Sequence, residues 1–137
     1  ILILNGANLN LLGTREPDIY GSTSMDDVLT YLKSEYSQHA IEYFQSNFEG
    51  EIIGKIQENN FDALVINPGA FTHYSYAIAD ALKNLKKPKI EVHISNIYQR
   101  EEFRQKSVTA AYTDAVLSGF GTEGYRLAII HLISTMQ

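Results

Sequence analysis

Short apolar runs alternate along this chain with longer stretches that are apolar on one side, and turn residues separate them. Residues 1–4 are continuously apolar and stop at Asn5-Gly6, which reads as a buried strand. Ser24 precedes Met25-Asp26-Asp27, an N-cap with an acid three residues on, and Val28, Leu29 and Leu32 then recur at helical spacing. Residues 41–45 read as a second strand. Residues 50–57 carry Ile52, Ile53 and Ile56, a short helix with one apolar face. Residues 63–66 form a third strand, stopped by the turn Asn67-Pro68-Gly69. Thr72 is expected to cap a helix bearing Ile78, Leu82 and Leu85. A fourth strand runs over 90–94, a fifth over 115–117, and a closing helix over 124–136.

Strands that alternate with helices need crossover connections and hence a parallel sheet. About five such units predict an α/β, flavodoxin-like doubly wound sheet in the order 2-1-3-4-5, with 1–137 as a single domain. In such a sheet, ligands bind beyond the carboxyl ends of the strands, where the strand order reverses.

Composition narrows the classes. The 137 residues are 45% hydrophobic and 20% charged, as in an ordinary globular domain. With no cysteine there is no disulfide, thiolate metal site or cysteine nucleophile, and a reducing, cytoplasmic setting is expected. The formal net charge of −5 argues against nucleic acid or an anionic membrane as partner. No apolar run approaches the ~20 residues of a membrane span, and no secretory leader pattern is present.

Polar residues gather at the ends of the predicted strands. Asn5, Asn8 and Asn10 follow the first, Asn67 and then His73 follow the third, and the fourth ends in Glu91-Val92-His93-Ile94-Ser95-Asn96. Strands 1, 3 and 4 are neighbours in the expected order, so these groups would meet at one cleft. Asn and Ser also serve simply as turn formers. His93 lies inside an apolar run at a half-buried strand end, where its protonation matters. Glu91 alternates with it and shares its face, so it could orient or charge-stabilise the ring. A structural histidine bonded to backbone is the alternative.

The segment from Gly13 to Ser22 has glycines near both ends, a proline inside and no period, as in a lid over a strand-end cleft. It carries Arg15 and Tyr20. A phenol is a poor base at neutral pH, and a nearby guanidinium favours its phenolate, so the two together make a general base. Equally, Tyr20 could pack on the sheet edge with Arg15 in water. Arg104 could bind an anion or hydroxyls, or be a surface residue about one helical turn beyond the fourth strand. Asp80, seven residues after His73, would share its helix face, either solvated or paired.

Several of these segments, in this order, resemble the type II 3-dehydroquinate dehydratases. The likeness runs from Leu2-Ile3-Leu4-Asn5-Gly6-Ala7-Asn8-Leu9-Asn10-Leu11-Leu12-Gly13 through Thr14-Arg15-Glu16-Pro17 and Tyr20-Gly21. It continues in Gln45-Ser46-Asn47, Asn67-Pro68-Gly69-Ala70, Thr72-His73, Ile90-Glu91-Val92-His93-Ile94-Ser95-Asn96, Arg100-Glu101, Phe103-Arg104 and Gly124-Tyr125. Ala7 stands where that family usually has proline, and Ala79 where an arginine commonly precedes Asp80.

The resemblance implies cofactor-free and metal-free dehydration of 3-dehydroquinate to 3-dehydroshikimate through an enolate. By matching position, Tyr20 would be the base and Arg15 its tuner. Asn8 would hold a water near the enolate, and His93, backed by Glu91, would protonate the departing hydroxyl. Asn67 with the backbone of Ile94 and Ser95 would take the carboxylate, and His73 and Arg104 the ring hydroxyls. Asp80 would reach a neighbouring subunit, in a homododecamer built from trimers. A flavodoxin-like small-molecule carrier or a catalytically silent oligomeric relative remain the alternatives. An FMN carrier would want a Ser/Thr-rich phosphate loop after the first strand, where this chain has a leucine-rich one.

Overall fold

Two tetrapeptides, Leu-Ile-Leu-Asn and Leu-Val-Ile-Asn, form the centre of the sheet. They are Leu2–Asn5 (β1) and Leu64–Asn67 (β3), and every residue of both is buried. Burial on both faces explains why neither shows an alternating pattern. In the computed structural model, which describes residues 1–14 and 23–137, they pair in parallel with Leu4 beside Ile66 and Asn5 beside Asn67. Glu42–Gln45 (β2), Lys89–His93 (β4) and Ala115–Ser118 (β5) complete a five-stranded parallel sheet in the order β2-β1-β3-β4-β5. This is the expected doubly wound, flavodoxin-like order. The strands fall within a residue of their expected bounds.

Met25–Glu35 (α1) and Glu123–Met136 (α4) cover one face, and Glu49–Glu58 (α2) and Tyr76–Asn84 (α3) the other. Ile3, Val65, Ile90 and Val92 pack with Val28, Leu29 and Leu32 of α1 and Ala128, Ile129 and Leu132 of α4. Leu2, Leu4, Leu64 and Ile66 pack on the opposite face with Ile52, Ile56, Ile78 and Leu82. Each such side chain, fully buried, stabilises the fold by roughly 1.5–3 kcal/mol. At the start of α1 the capping box forms as expected: Ser24 Oγ accepts from Asp27 N–H at 3.1 Å and Asp27 Oδ2 from Ser24 N–H at 3.2 Å. Among the described residues, no helix is long and apolar enough to cross a membrane.

The structure corrects two expectations. Thr72 does not cap α3. It lies in a 3₁₀ turn, Gly69–His73, with its side chain turned into the protein, and Ser75 takes the cap by accepting from the Ile78 N–H at 3.1 Å. Residues 74–75 therefore separate His73 from α3, so His73 and Asp80 do not share one helix face. The connection from β4 to β5 holds no α-helix. It is a run of single 3₁₀ turns, Ile97–Gln99, Glu102–Arg104 and Ala110–Tyr112, which brings polar side chains back over the strand ends.

Candidate active site

The carboxyl ends of β1 and β3 approach each other with no room for a side chain between them. The Gly6 N–H donates to the Asn67 carbonyl at 2.7 Å, and a Cβ on Gly6 would lie 2.1 Å from the Pro68 carbonyl oxygen. Glycine at position 6 is thus required by space. Asn8 follows in the left-handed region, at φ 68°, and its N–H donates to Asn47 Oδ1 at 2.9 Å. Gln45 donates to both the Gly6 carbonyl and Asn47 Oδ1, tying this loop to the end of β2.

Beneath the loop lies a polar chain sealed from solvent. Tyr125, at the start of α4, donates its hydroxyl proton to Asn5 Oδ1 at 2.8 Å and accepts from Asn67 Nδ2 at 3.0 Å. Burial pushes its phenol pKa well up, so it stays protonated, with its bonds to Asn67 and Asn5 opposing that shift. Asn67 Oδ1 accepts from the Gly69 N–H at 3.1 Å. The orientation of the Asn67 amide is therefore set, and one of its two N–H bonds remains for the cleft.

The cleft measures about 900 Å³. Asn8, Asn67, His73, His93, Ile94, Ser95 and Arg104 all line it, together with Arg100, Gln99 and Phe103. Most of the strand-end residues singled out from the sequence thus converge on one space, while Asn5 and Glu91 are buried behind it and Asn10 lies outside it. The N–H groups of Ile94 and Ser95 meet no acceptor among the described residues. Arg100 reaches back to donate to Ser95 Oγ, and its own carbonyl accepts from Gln105 at 2.7 Å. Arg104 is exposed and lies 3.5 Å from Glu101.

His93 and Glu91 meet as their alternation implies. The ring Nε2 lies 2.7 Å from Glu91 Oε2, with His93 4% and Glu91 0% exposed. Burial alone would raise the Glu91 pKa. The hydrogen bonds from His93, Thr109 and Ser107, with the His93 charge, outweigh it and bring the value below that of an ordinary glutamate. Glu91 is thus an anion behind His93 and does not itself line the cleft.

His73 Nδ1 donates to the Lys106 carbonyl at 2.7 Å, which leaves Nε2 of the neutral ring as an acceptor. Partial burial pushes its pKa down. The Lys106 bond opposes this, and the charges of Arg100, His93 and Arg104 add to it.

Asp80 is exposed on α3 and is not part of the cleft wall of this chain. Arg15 and Tyr20 lie outside the described residues. Sequence reasoning passed over Thr72 as a buried partner, Ser107, Thr109 and Tyr125 as a hydroxyl donor. Their only signal is the Ser107-Val108-Thr109 alternation, which is unremarkable without a fold around it. Among the described residues no three His, Asp or Glu side chains cluster as a metal site.

Comparison with known proteins adds a second line of observation. Residues 1–133 match the sequence model of a family described as dehydroquinase class II. The 3-dehydroquinate dehydratase of Thermotoga maritima is 52% identical over 139 aligned residues, covering 100% of this chain and 96% of that protein. That of Caldicellulosiruptor bescii is 55% identical over 137 aligned residues, covering 96% of this chain and 94% of that protein. The crystal structure of the type II dehydroquinase from Propionibacterium acnes superposes with a TM-score of 0.92 at 46% identity, over 98% of this chain and 95% of that one.

Proposed function

The chain belongs to the class II dehydroquinase family, and from that premise we propose how its residues remove water from 3-dehydroquinate. The reaction is a lyase step of the shikimate pathway and gives 3-dehydroshikimate. We assign the work to residues 1–137 acting as one catalytic domain.

Tyr20, as phenolate beside the Arg15 guanidinium, takes the proton from the carbon next to the ketone. The electron pair moves onto the ketone oxygen, and a water held at Asn8 donates to the enolate. When the enolate collapses, the carbon–oxygen bond to the hydroxyl group breaks and His93, as imidazolium, supplies the proton that makes it water. Glu91 holds the ring from behind. The N–H groups of Asn67, Ile94 and Ser95 take the substrate carboxylate, His73 and Arg104 the ring hydroxyls. Asp80, exposed on α3, is assigned to the cleft of a neighbouring copy within trimers that build a dodecamer, in the cytoplasm.

The observation that carries this reading is His93 on the cleft wall, held from behind by Glu91, beside the free N–H groups of Ile94 and Ser95. No lysine lines that cleft among the described residues, so a Schiff base has no amine there. The test is enone absorbance on adding 3-dehydroquinate, with Tyr20→Phe and His93→Ala each slower by about 10²–10⁴-fold. Turnover at the parent rate in either variant removes that residue from its role. Covalent trapping of substrate on a lysine by borohydride would refute the enolate route.

A further inference from the structure

The carboxylate of Glu91 has more donors than orienting one imidazole requires. Thr109 Oγ1 donates to Oε1. Ser107 Oγ donates to Oε2 at 2.8 Å, beside His93 on the same oxygen. Thr72 Oγ1 lies 3.2 Å from Oε2, 2.6 Å from Ser107 Oγ and 2.8 Å from Thr109 Oγ1. Glu91, Thr72 and Thr109 are all 0% exposed.

One proton arrangement satisfies these contacts with Glu91 ionised. In it Ser107 Oγ accepts from the Ala110 N–H at 3.0 Å and from Thr72, and its own proton goes to Glu91. The Thr109 proton goes to the other carboxylate oxygen. The hydroxyls thus act on Glu91 as donors, an arrangement that suits the anion and not the acid. Three separate segments are needed to build it: the turn after β3, the strand β4 and the loop before β5. The other titratable and charged groups nearby are His73 from the turn after β3, and Arg100 and Arg104 from the segment after β4.

We propose that Thr72, Ser107 and Thr109 are positioning residues for the dehydration, a hydroxyl cage that keeps Glu91 ionised and so fixes His93 with its Nε2–H on Glu91. The remaining ring nitrogen, Nδ1, meets no partner among the described residues and is the atom through which the proton passes to the leaving hydroxyl. If the cage loosens, Glu91 can take up a proton, Nε2 loses its acceptor, and the ring is free to adopt the other tautomer. This inference rests on the reading of His93 as proton donor.

Thr109→Val keeps the shape and removes one donor. It is expected to lower kcat by about tenfold, as loss of one hydrogen bond to a charged group would, with KM within about twofold. Thr109→Ser restores the hydroxyl and is expected to restore kcat. The ¹⁵N shifts of the His93 ring report the tautomer and should be mixed in Thr109→Val and single in Thr109→Ser. Ser107→Ala, at a less buried position, gives the same reading if Thr109→Val does not fold. Glu91→Gln separates the two levels. If Glu91→Gln loses kcat while Thr109→Val and Ser107→Ala keep the parental kcat and ring shifts, the cage merely fills space and the inference fails. If Glu91→Gln itself turns over at the parent rate, the role of Glu91 behind His93 fails with it.

Discussion

Replacing Gly6 by alanine places a methyl carbon 2.1 Å from the Pro68 carbonyl oxygen and 2.6 Å from its carbonyl carbon. Carbon and oxygen in close contact ordinarily stay about 3.3 Å apart, so the two strand ends must separate by about 1 Å. The obstacle is backbone and has no rotamer into which it can move. Overpacking costs about 1–3 kcal/mol, and this site belongs at the upper end. That corresponds to a Tm lower by on the order of 10 °C for a chain of this length. The functional effect is separate and larger in relative terms. The Gly6 N–H holds the Asn67 carbonyl at 2.7 Å, so opening this contact moves Asn67 and Asn8 apart across the cleft. A misplacement of that size is expected to reduce kcat/KM about 10²-fold. Scanning calorimetry and the enone absorbance assay read the two effects. Gly54→Ala is the control, since a Cβ there meets nothing within 4 Å on the surface of α2. It should stabilise the protein by roughly 0.5–1 kcal/mol at unchanged turnover. A Gly6→Ala protein with the parental Tm and kcat/KM would refute the described approach of β1 and β3. One that is destabilised but fully active would show that the cleft does not depend on it.

Tyr125→Phe leaves Asn5 Oδ1 and Asn67 Nδ2 without their shared hydroxyl; urea denaturation should show a loss of about 1–3 kcal/mol, and an unchanged midpoint would contradict the buried chain. Ser24→Ala removes the acceptor for the Asp27 N–H and should cost about 1 kcal/mol in the same experiment, with turnover unaffected. Glu91 has a folded pKa below its ordinary value of 4.5, so its contribution to stability is present above pH 4.5 and is lost as pH falls through the folded value. Plots of Tm against pH should therefore fall on the acid side, less steeply in Glu91→Gln; identical acid limbs would argue against a caged anion.

What the sequence disclosed, and what it hid, follows from how far apart in the chain the partners are. The strands are legible because burial on both faces leaves uninterrupted apolar runs, as in residues 2–4 and 64–66. The Glu91–His93 contact is legible because residues two apart on a strand share a face. The α1 cap is legible because its partners lie three residues apart. Thr72 looked like a cap for the same local reason, but a carboxylate 19 residues away and a hydroxyl 35 away claim its side chain. Tyr125 and Asn5 are separated by 120 residues, and no local pattern links them. Loop composition and phenol chemistry left Arg15 and Tyr20 open to two readings, the family resemblance supplied their roles, and both lie outside the described residues.

The cleft also shows why the chain's formal net charge of −5 is a poor guide to its ligand. A negatively charged protein would be expected to repel an anion at long range, an effect that salt screens within about 10 Å. At contact distance the hydrogen-bonding valence of the wall matters more. The Gly69 N–H takes the Asn67 side-chain oxygen, and Tyr125 takes one of the two N–H bonds of its amide and leaves the other. The Ile94 carbonyl accepts from Gly121 and the Ser95 carbonyl from Ser118, while the N–H groups of Ile94 and Ser95 stay free among the described residues. Arg100 and Arg104 line the same space. These groups present donors to the ligand, with their acceptors already satisfied by the fold. Such a wall penalises a neutral acceptor-poor ligand, which would leave the donors unpaired, and favours a carboxylate, whose two oxygens accept them. On the proposed assignment of the carboxylate to these groups, the network that holds the strand ends together also selects the charge of the substrate.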